Sequence, residues 1–274
     1  MLSVVKRIAG SAPLWAWIVM VVCVAILVVG LVVAGSRTTL APADPDVSPT
    51  SVTPTESATL SFMQDARTHA AEPRTIALLG DSTTSARDGW ATRLGTAISQ
   101  NLQRPMITRA WSITTNDYGA VSGIGDGPNA PIGFWNGSAP GKDATYAVEN
   151  LDKLIPAEVT PDLILLNFGH TLDPKAPLAE QVRPLLNNLR KEYPSAEFVA
   201  IKQSPTQAGQ TNALMPGYNS AMDSEGVQVI DVYSAFPSET AALRSLLRDA
   251  VNPNRAGQDL WSATVLKAFG LQQG

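Results

Sequence analysis

The segment Asp162–Phe168 (DLILLNF) holds four consecutive large aliphatic side chains with no polar alternation, and this restricts the fold more than any other stretch. A strand with one face in water alternates apolar and polar residues. A strand covered on both faces does not, and such strands belong to parallel sheets with helices above and below. Similar runs occur at Thr75–Leu79 and Glu197–Ile201, and Val227–Val232 (VQVIDV) reads as a further strand. Segments with helical spacing separate them: Gly89–Leu102, Ala144–Leu154, Ala179–Tyr193 and Ala256–Phe269. The alternation predicts a three-layer α/β/α domain around a mainly parallel sheet. No internal repeat is evident.

A different apolar run lies near the N-terminus. Leu14–Gly35 (LWAWIVMVVCVAILVVGLVVAG) carries no charge over 22 residues, and at ~1.5 Å per residue a helix of this length crosses the ~30 Å core of a bilayer. Lys6 and Arg7 precede it, Trp15 and Trp17 stand at its start, and only Arg37 follows closely. This pattern predicts a single transmembrane helix over 14–35, with residues 1–13 cytoplasmic and the rest of the chain outside the cell membrane. The competing reading is a cleaved signal peptide, since Ala41-Pro42-Ala43 resembles a small-residue cleavage site. The apolar run is, however, longer than the ~7–15 residues usual for that role. Cys23, the only cysteine, lies inside the run after Val22, which is too large for a lipoprotein processing site. The outer domain is therefore expected to have no disulfides and to rely on packing.

Residues 36–57 mix Ser and Thr with Pro42, Pro45, Pro49 and Pro54, a composition that buries too little apolar surface to fold and reads as a spacer. A short helix over 58–71 and a folded domain over 72–274 follow. The formal net charge is −4 and no basic cluster is present, which argues against a nucleic-acid partner. Two histidines, His69 and His170, are too few for a histidine-built metal site, so no metal or cofactor is expected. Residues 109–137, rich in Gly, Asn and Pro, break the strand-helix rhythm. They read either as a functional loop or as an elaborated surface loop. If they line a site, Trp111, Tyr118, Phe134 and Trp135 are the natural contacts for a sugar ring or an acyl chain.

The first strand ends in Gly80-Asp81-Ser82 and a helical segment follows. Near the other end stands Asp249-Ala250-Val251-Asn252-Pro253-Asn254-Arg255-Ala256-Gly257. From about Arg74 to Phe269 the chain resembles the SGNH, or GDSL-type, hydrolase superfamily, whose flavodoxin-like domain is the one the strand pattern predicts. The resemblance puts Ser82 in the nucleophile's position. It puts Gly141, in Pro140-Gly141-Lys142-Asp143, where a backbone N–H helps bind the oxyanion. The alternative placement of that block, at Arg109–Thr115, lacks a glycine. The family's third block, Gly-x-Asn-Asp, falls on Gly169-His170-Thr171-Leu172, so Thr171 replaces the oxyanion-binding asparagine with a shorter donor.

The last block departs further. The family's Asp-x-x-His-Pro-Asn is matched at Asp249, Pro253 and Asn254, with Gly257 beyond, while Asn252 takes the histidine's place. An amide cannot accept the serine's proton near neutral pH, and Asp249 then has no imidazole to orient. His170 is the one alternative base near the matched blocks, with a structural histidine as the competing reading; His69 precedes the first strand. The resemblance implies a membrane-anchored ester hydrolase or acyl-transfer domain acting through Ser82 on a cell-envelope glycan or lipid ester. The alternative is a catalytically degenerate domain that binds a glycan or protein partner. An envelope spacer, with Ser82 merely capping a helix, is the third reading.

Overall fold

A computed structural model of the chain describes residues 57–171, 173, 176–207 and 211–271. The expected cytoplasmic segment, transmembrane helix and most of the spacer lie outside the described residues. Among those described, no helix is long and apolar enough to cross a membrane.

Helix α1 (Ala58–Thr68) leads into β1 (Arg74–Gly80), a short 3₁₀ turn at Ser82–Thr84 and α2 (Trp90–Leu102). Then come β2 (Met106–Ser112), β3 (Asp117–Tyr118), β4 (Ser122–Ile124), β5 (Ile132–Asn136), α3 (Ala144–Glu149), α4 (Leu151–Leu154) and β6 (Leu163–Asn167). The chain continues through α5 (Leu178–Glu192), β7 (Glu197–Lys202), α6 (Tyr218–Ser224), β8 (Gln228–Asp231), α7 (Thr240–Ser245) and α8 (Arg255–Ala268). Strands β2-β5-β1-β6-β7-β8 pair in that order and are all parallel, while β3 and β4 pair antiparallel with the outer strand β2.

Strand β1 runs through the middle of the sheet, and its register explains the missing polar alternation. Ile76 stands between Phe134 of β5 and Leu163 of β6. Ile76 and Leu78 enter one core with Phe62 of α1, Trp90 and Leu94 of α2, and Trp261 and Val265 of α8. Ala77 and Leu79 enter the other with Val182, Leu185, Leu186 and Leu189 of α5. Both faces are thus removed from water, and truncating a side chain such as Leu165 to alanine costs about 2–5 kcal/mol. Trp90 and Trp261 stack with centroids 5.9 Å apart, locking α2 against α8.

The predicted three-layer sheet is observed, and the strands expected at 75–79, 162–168, 197–201 and 227–232 match β1, β6, β7 and β8 within two residues. The irregular stretch 109–137 differs from expectation. It contains the end of β2, the β3 and β4 edge strands and all of β5, which pairs directly with β1. Gly133 and the partly exposed β2 hide the strand signal there, because neither forms a continuous apolar run. The helix expected over 144–154 is divided at Asn150, whose φ of −120° leaves the helical range. Helices α6 and α7, each under eight residues, carry no clear periodicity.

Candidate active site

Four strand ends build the site from below. Gly80 closes β1 against β6: a Cβ added there would lie 2.7 Å from the Asn167 carbonyl oxygen, so the close approach requires glycine. Asp81 then turns the chain, its Oδ1 accepting from the Thr83 N–H at 3.0 Å and the Thr83 hydroxyl at 2.8 Å. The Thr83 oxygen in turn accepts from Asn167 Nδ2 at 2.8 Å and Gln203 Nε2 at 3.2 Å. Gln203 also donates to the Asn167 carbonyl at 2.9 Å. Asp81, Thr83, Asn167 and Gln203 are each at most 1% exposed, so the turn carrying Ser82 is held by a buried network from the ends of β1, β6 and β7.

Ser82 itself is only partly buried. Its hydroxyl has no hydrogen-bond partner among the described residues. Beyond β5, the Gly137 N–H donates to Leu78 O and the Ala139 N–H to Gly80 O, both at 2.8 Å, which carries the chain along β1 to the Ser82 turn. Gly141 follows in an exposed turn with φ +73°, a left-handed conformation that favours glycine; no neighbour crowds it. Neither the Ser82 nor the Gly141 N–H makes a hydrogen bond among the described residues.

The Thr171 hydroxyl donates to the Lys142 carbonyl at 2.9 Å. Its single proton is spent tying this loop to the Gly141 turn, and none is left for an oxyanion. His170, just beyond β6, has Nε2 2.7 Å from Ser204 O. A carbonyl only accepts, so Nε2 carries a hydrogen, and in the neutral imidazole the lone pair is on Nδ1. Nδ1 is buried without a partner among the described residues, as are Asp81 Oδ2, Ser138 Oγ, Asn167 Oδ1, Gln203 Oε1 and Ser204 Oγ. These atoms gather beyond the C-terminal ends of the strands, where open α/β sheets place ligands. His69 pairs with Asp65 at 2.8 Å, just before the N-terminal end of β1. The strand, about 20 Å long at ~3.3 Å per residue, separates it from Ser82.

In the C-terminal loop the Asn252 amide donates to both carboxylate oxygens of Asp249, at 2.9 and 3.1 Å. The N–H groups of Asn252 and Val251 add bonds of 2.8 and 3.0 Å to Oδ1. Burial pushes the Asp249 carboxyl up, but these donors and Arg248 outweigh it, so its pKa falls below the ordinary carboxylate value. Asn252 thus makes the contact that an imidazole N–H makes to a triad aspartate, with no lone pair able to take a proton. Asn254 caps α8 by accepting from the Gly257 N–H at 3.1 Å. No hydrogen bond joins Ser82 to Asp249, Asn252 or His170 among the described residues.

Trp111 and Trp135, singled out as substrate contacts, pack edge-on against Tyr118 from either side. Trp111 is 7% exposed and donates to the Tyr146 hydroxyl at 3.1 Å, while Arg109 lies 4.6 Å over the Trp135 ring. Phe134 lies on the other face of β5 and lines an open cleft beside Thr84 and Ser85. Sequence reasoning passed over Thr83, Asn167 and Gln203. Their signal is a polar residue directly at the end of an apolar strand.

No family model and no curated protein sequence matches the chain. Solved structures do. A two-domain esterase active on acetylated mannans superposes with a TM-score of 0.57 at 16% identity, covering 78% of this chain and 52% of that one. A member of the lipolytic G-D-S-L family from Veillonella parvula gives 0.50 at 14% identity, covering 73% and 99%. An acetyl xylan esterase from Geobacillus stearothermophilus gives 0.51 at 12%, covering 73% and 96%. The chain has the SGNH/GDSL-type hydrolase fold. It spans about half the length of the mannan esterase. Within the SGNH fold, Ser82 follows the central strand, and Asp249 and Asn252 precede the last helix.

Proposed function

We propose that this SGNH-fold domain recognises an ester-bearing glycan of the cell envelope without turning it over. A helix over 14–35 would hold the domain outside the membrane, with residues 1–13 in the cytoplasm. The ester carbonyl would accept from the N–H groups of Ser82 and Gly141, neither of which has a partner among the described residues. The bidentate contact of the Asn252 amide with Asp249 carries this reading, because it fills the base position with a group that cannot take a proton. Esterases on acetylated mannan and xylan among the structural neighbours support an acetylated glycan as ligand.

The test uses the full chain in detergent with xylopentaose and its acetylated form. At least tenfold tighter binding of the acetylated form, without acetate release or Ser82 labelling by a fluorophosphonate, is the expected result. Equal affinity for both forms overturns it.

One observation favours a second reading, ester hydrolysis by Ser82. The His170 contact with Ser204 occupies Nε2 and leaves the buried Nδ1 without a hydrogen-bond partner among the described residues, at the end of the strand next to β1. In that case Ser82 Oγ would attack the carbonyl, His170 Nδ1 would take its proton, and the proton would pass to the departing alcohol as its C–O bond breaks, leaving acyl-Ser82. Water, giving a proton to His170, would then attack this ester, and the proton would return to Ser82 Oγ as acetate leaves. Acetate release that disappears in both Ser82→Ala and His170→Ala would establish this route in place of the first.

A further inference from the structure

The antiparallel strand β4 on the outer edge of the sheet creates a feature that neither the motifs nor the Ser82 turn accounts for. Between β4, the front of β2 and β5, the start of α2 and the turn after Ser82 lies an open cleft of about 570 Å³. This is within the ~300–1,000 Å³ range of small-molecule sites. Its wall begins at Thr84, two residues beyond Ser82, so it adjoins the candidate ester site without including the serine.

The lining has a distinct chemistry. Thr84, Ser85, Thr92, Thr108 and Ser122 bring five hydroxyls, of which those of Thr84 and Ser85 already donate to the Asp81 and Ser82 carbonyls; Asn136 brings an amide, and no carboxylate is present. Several of these groups retain hydrogen-bonding capacity. The Thr92 hydroxyl has no partner among the described residues. Asn136 Nδ2 reaches only Thr84 O, at 3.4 Å, and the Thr108 and Ser122 hydroxyls mainly face each other at 2.6 Å. Phe134 and Ile124 add an apolar surface. At the rim, Arg87 has no ion-pair partner among the described residues. An acyl chain here would strip water from the hydroxyls and return no hydrogen bonds. A sugar ring offers hydroxyls to the polar wall and a C–H face to the partly exposed Ile124, with the 4% of Phe134 left exposed beneath it.

We infer that this cleft is a carbohydrate subsite holding a sugar residue next to the ester carried to Ser82. The inference rests on the acyl-glycan reading above and assigns it a place, with β4 as the outer wall.

The full chain in detergent is titrated with xylopentaose, with octanoate as the acyl-chain probe, and binding is read by saturation-transfer NMR. Ser122 is exposed on β4, so Ser122→Trp fills the cleft without entering the core; Ala110→Trp fills it from β2, where Ala110 is also exposed. Val121→Trp is the control, since Val121 is 54% exposed and does not line the cleft. Xylopentaose binding is expected to weaken at least tenfold in both cleft variants and to change less than twofold in the control. Unchanged binding in both cleft variants, no saturable xylopentaose binding by the unaltered chain, or binding of octanoate alone overturns the assignment. The acetylated pentasaccharide separates the two proposals. A tenfold acetyl preference that survives Ser122→Trp, with no loss of affinity, leaves the ester reading standing and removes the cleft. Cleft-dependent binding without acetyl preference does the reverse.

Discussion

The Ser82 turn and the Asp249–Gly257 loop are the two segments that the SGNH resemblance joins into one candidate site, and they are built differently. The first is anchored in the core: Asp81, Thr83, Asn167 and Gln203 are drawn from three strand ends and are almost wholly buried. The second is local and wet. Asp249 is 45% exposed, and it is bonded mainly by its own near neighbours Val251 and Asn252, with Gln207 Nε2 reaching its carbonyl at 3.0 Å. A buried polar network fails as a unit when one member is lost, because the remaining groups stay desolvated. An exposed loop tolerates exchange. On the proposed reading, this contrast lets a chain keep the Ser82 turn while the loop holds asparagine where the SGNH resemblance expects histidine.

The largest expected effect restores the missing half. Asn252→His keeps a donor toward Asp249 and adds a titratable nitrogen, so hydrolysis of short acetyl esters should rise by about 10²–10⁴-fold, the usual contribution of a general base. The Asp249 carboxylate favours the imidazolium and raises the histidine pKa above its ordinary ~6.5. Activity should therefore be absent below that value and climb as pH rises through it. No gain at any pH would mean that the serine turn, too, has lost its function.

Next in size is the buried network. Gln203→Leu removes donors to Thr83 and to the Asn167 carbonyl, and should cost about 1–3 kcal/mol in urea unfolding. Asn252→Ala should cost less than ~1 kcal/mol, as exposed changes do. Equal losses in the two variants would erase the distinction between the halves. The smallest effect is the acid response of the loop. Asp249 has a lowered pKa in the folded state, so its contribution is present above the unfolded value of ~3.9 and is lost as pH falls through the folded one. Asn252→Ala removes part of that lowering, and its stability deficit should shrink on acidification toward pH 3 in thermal melts.

Much of this was legible in the order of residues. Strands β1, β6 and β7 announce themselves because burial on both faces favours continuous apolar runs, β8 by the short alternating segment VQVIDV, and Ser82, Gly141, Asp249 and Asn252 could be named as candidates from short motifs at strand and helix ends. Strand β5 could not be seen, since Gly133 interrupts its run and pairing with β1 and β2 supplies what its side chains do not. Trp111 and Trp135 looked like ligand contacts because an aromatic residue in a glycine-rich stretch carries no sign of its partners; edge-on packing with Tyr118 occupies them. Local order thus determined the layers of the fold and the absence of a histidine beside Asp249. Only the tertiary structure decided that Asn167 and Gln203 meet beneath Ser82, that Thr171 spends its proton on Lys142, and that β4 walls a polar cleft. Each of these depends on which strands lie side by side, and parallel neighbours joined by long crossovers are fixed by packing across the whole sheet.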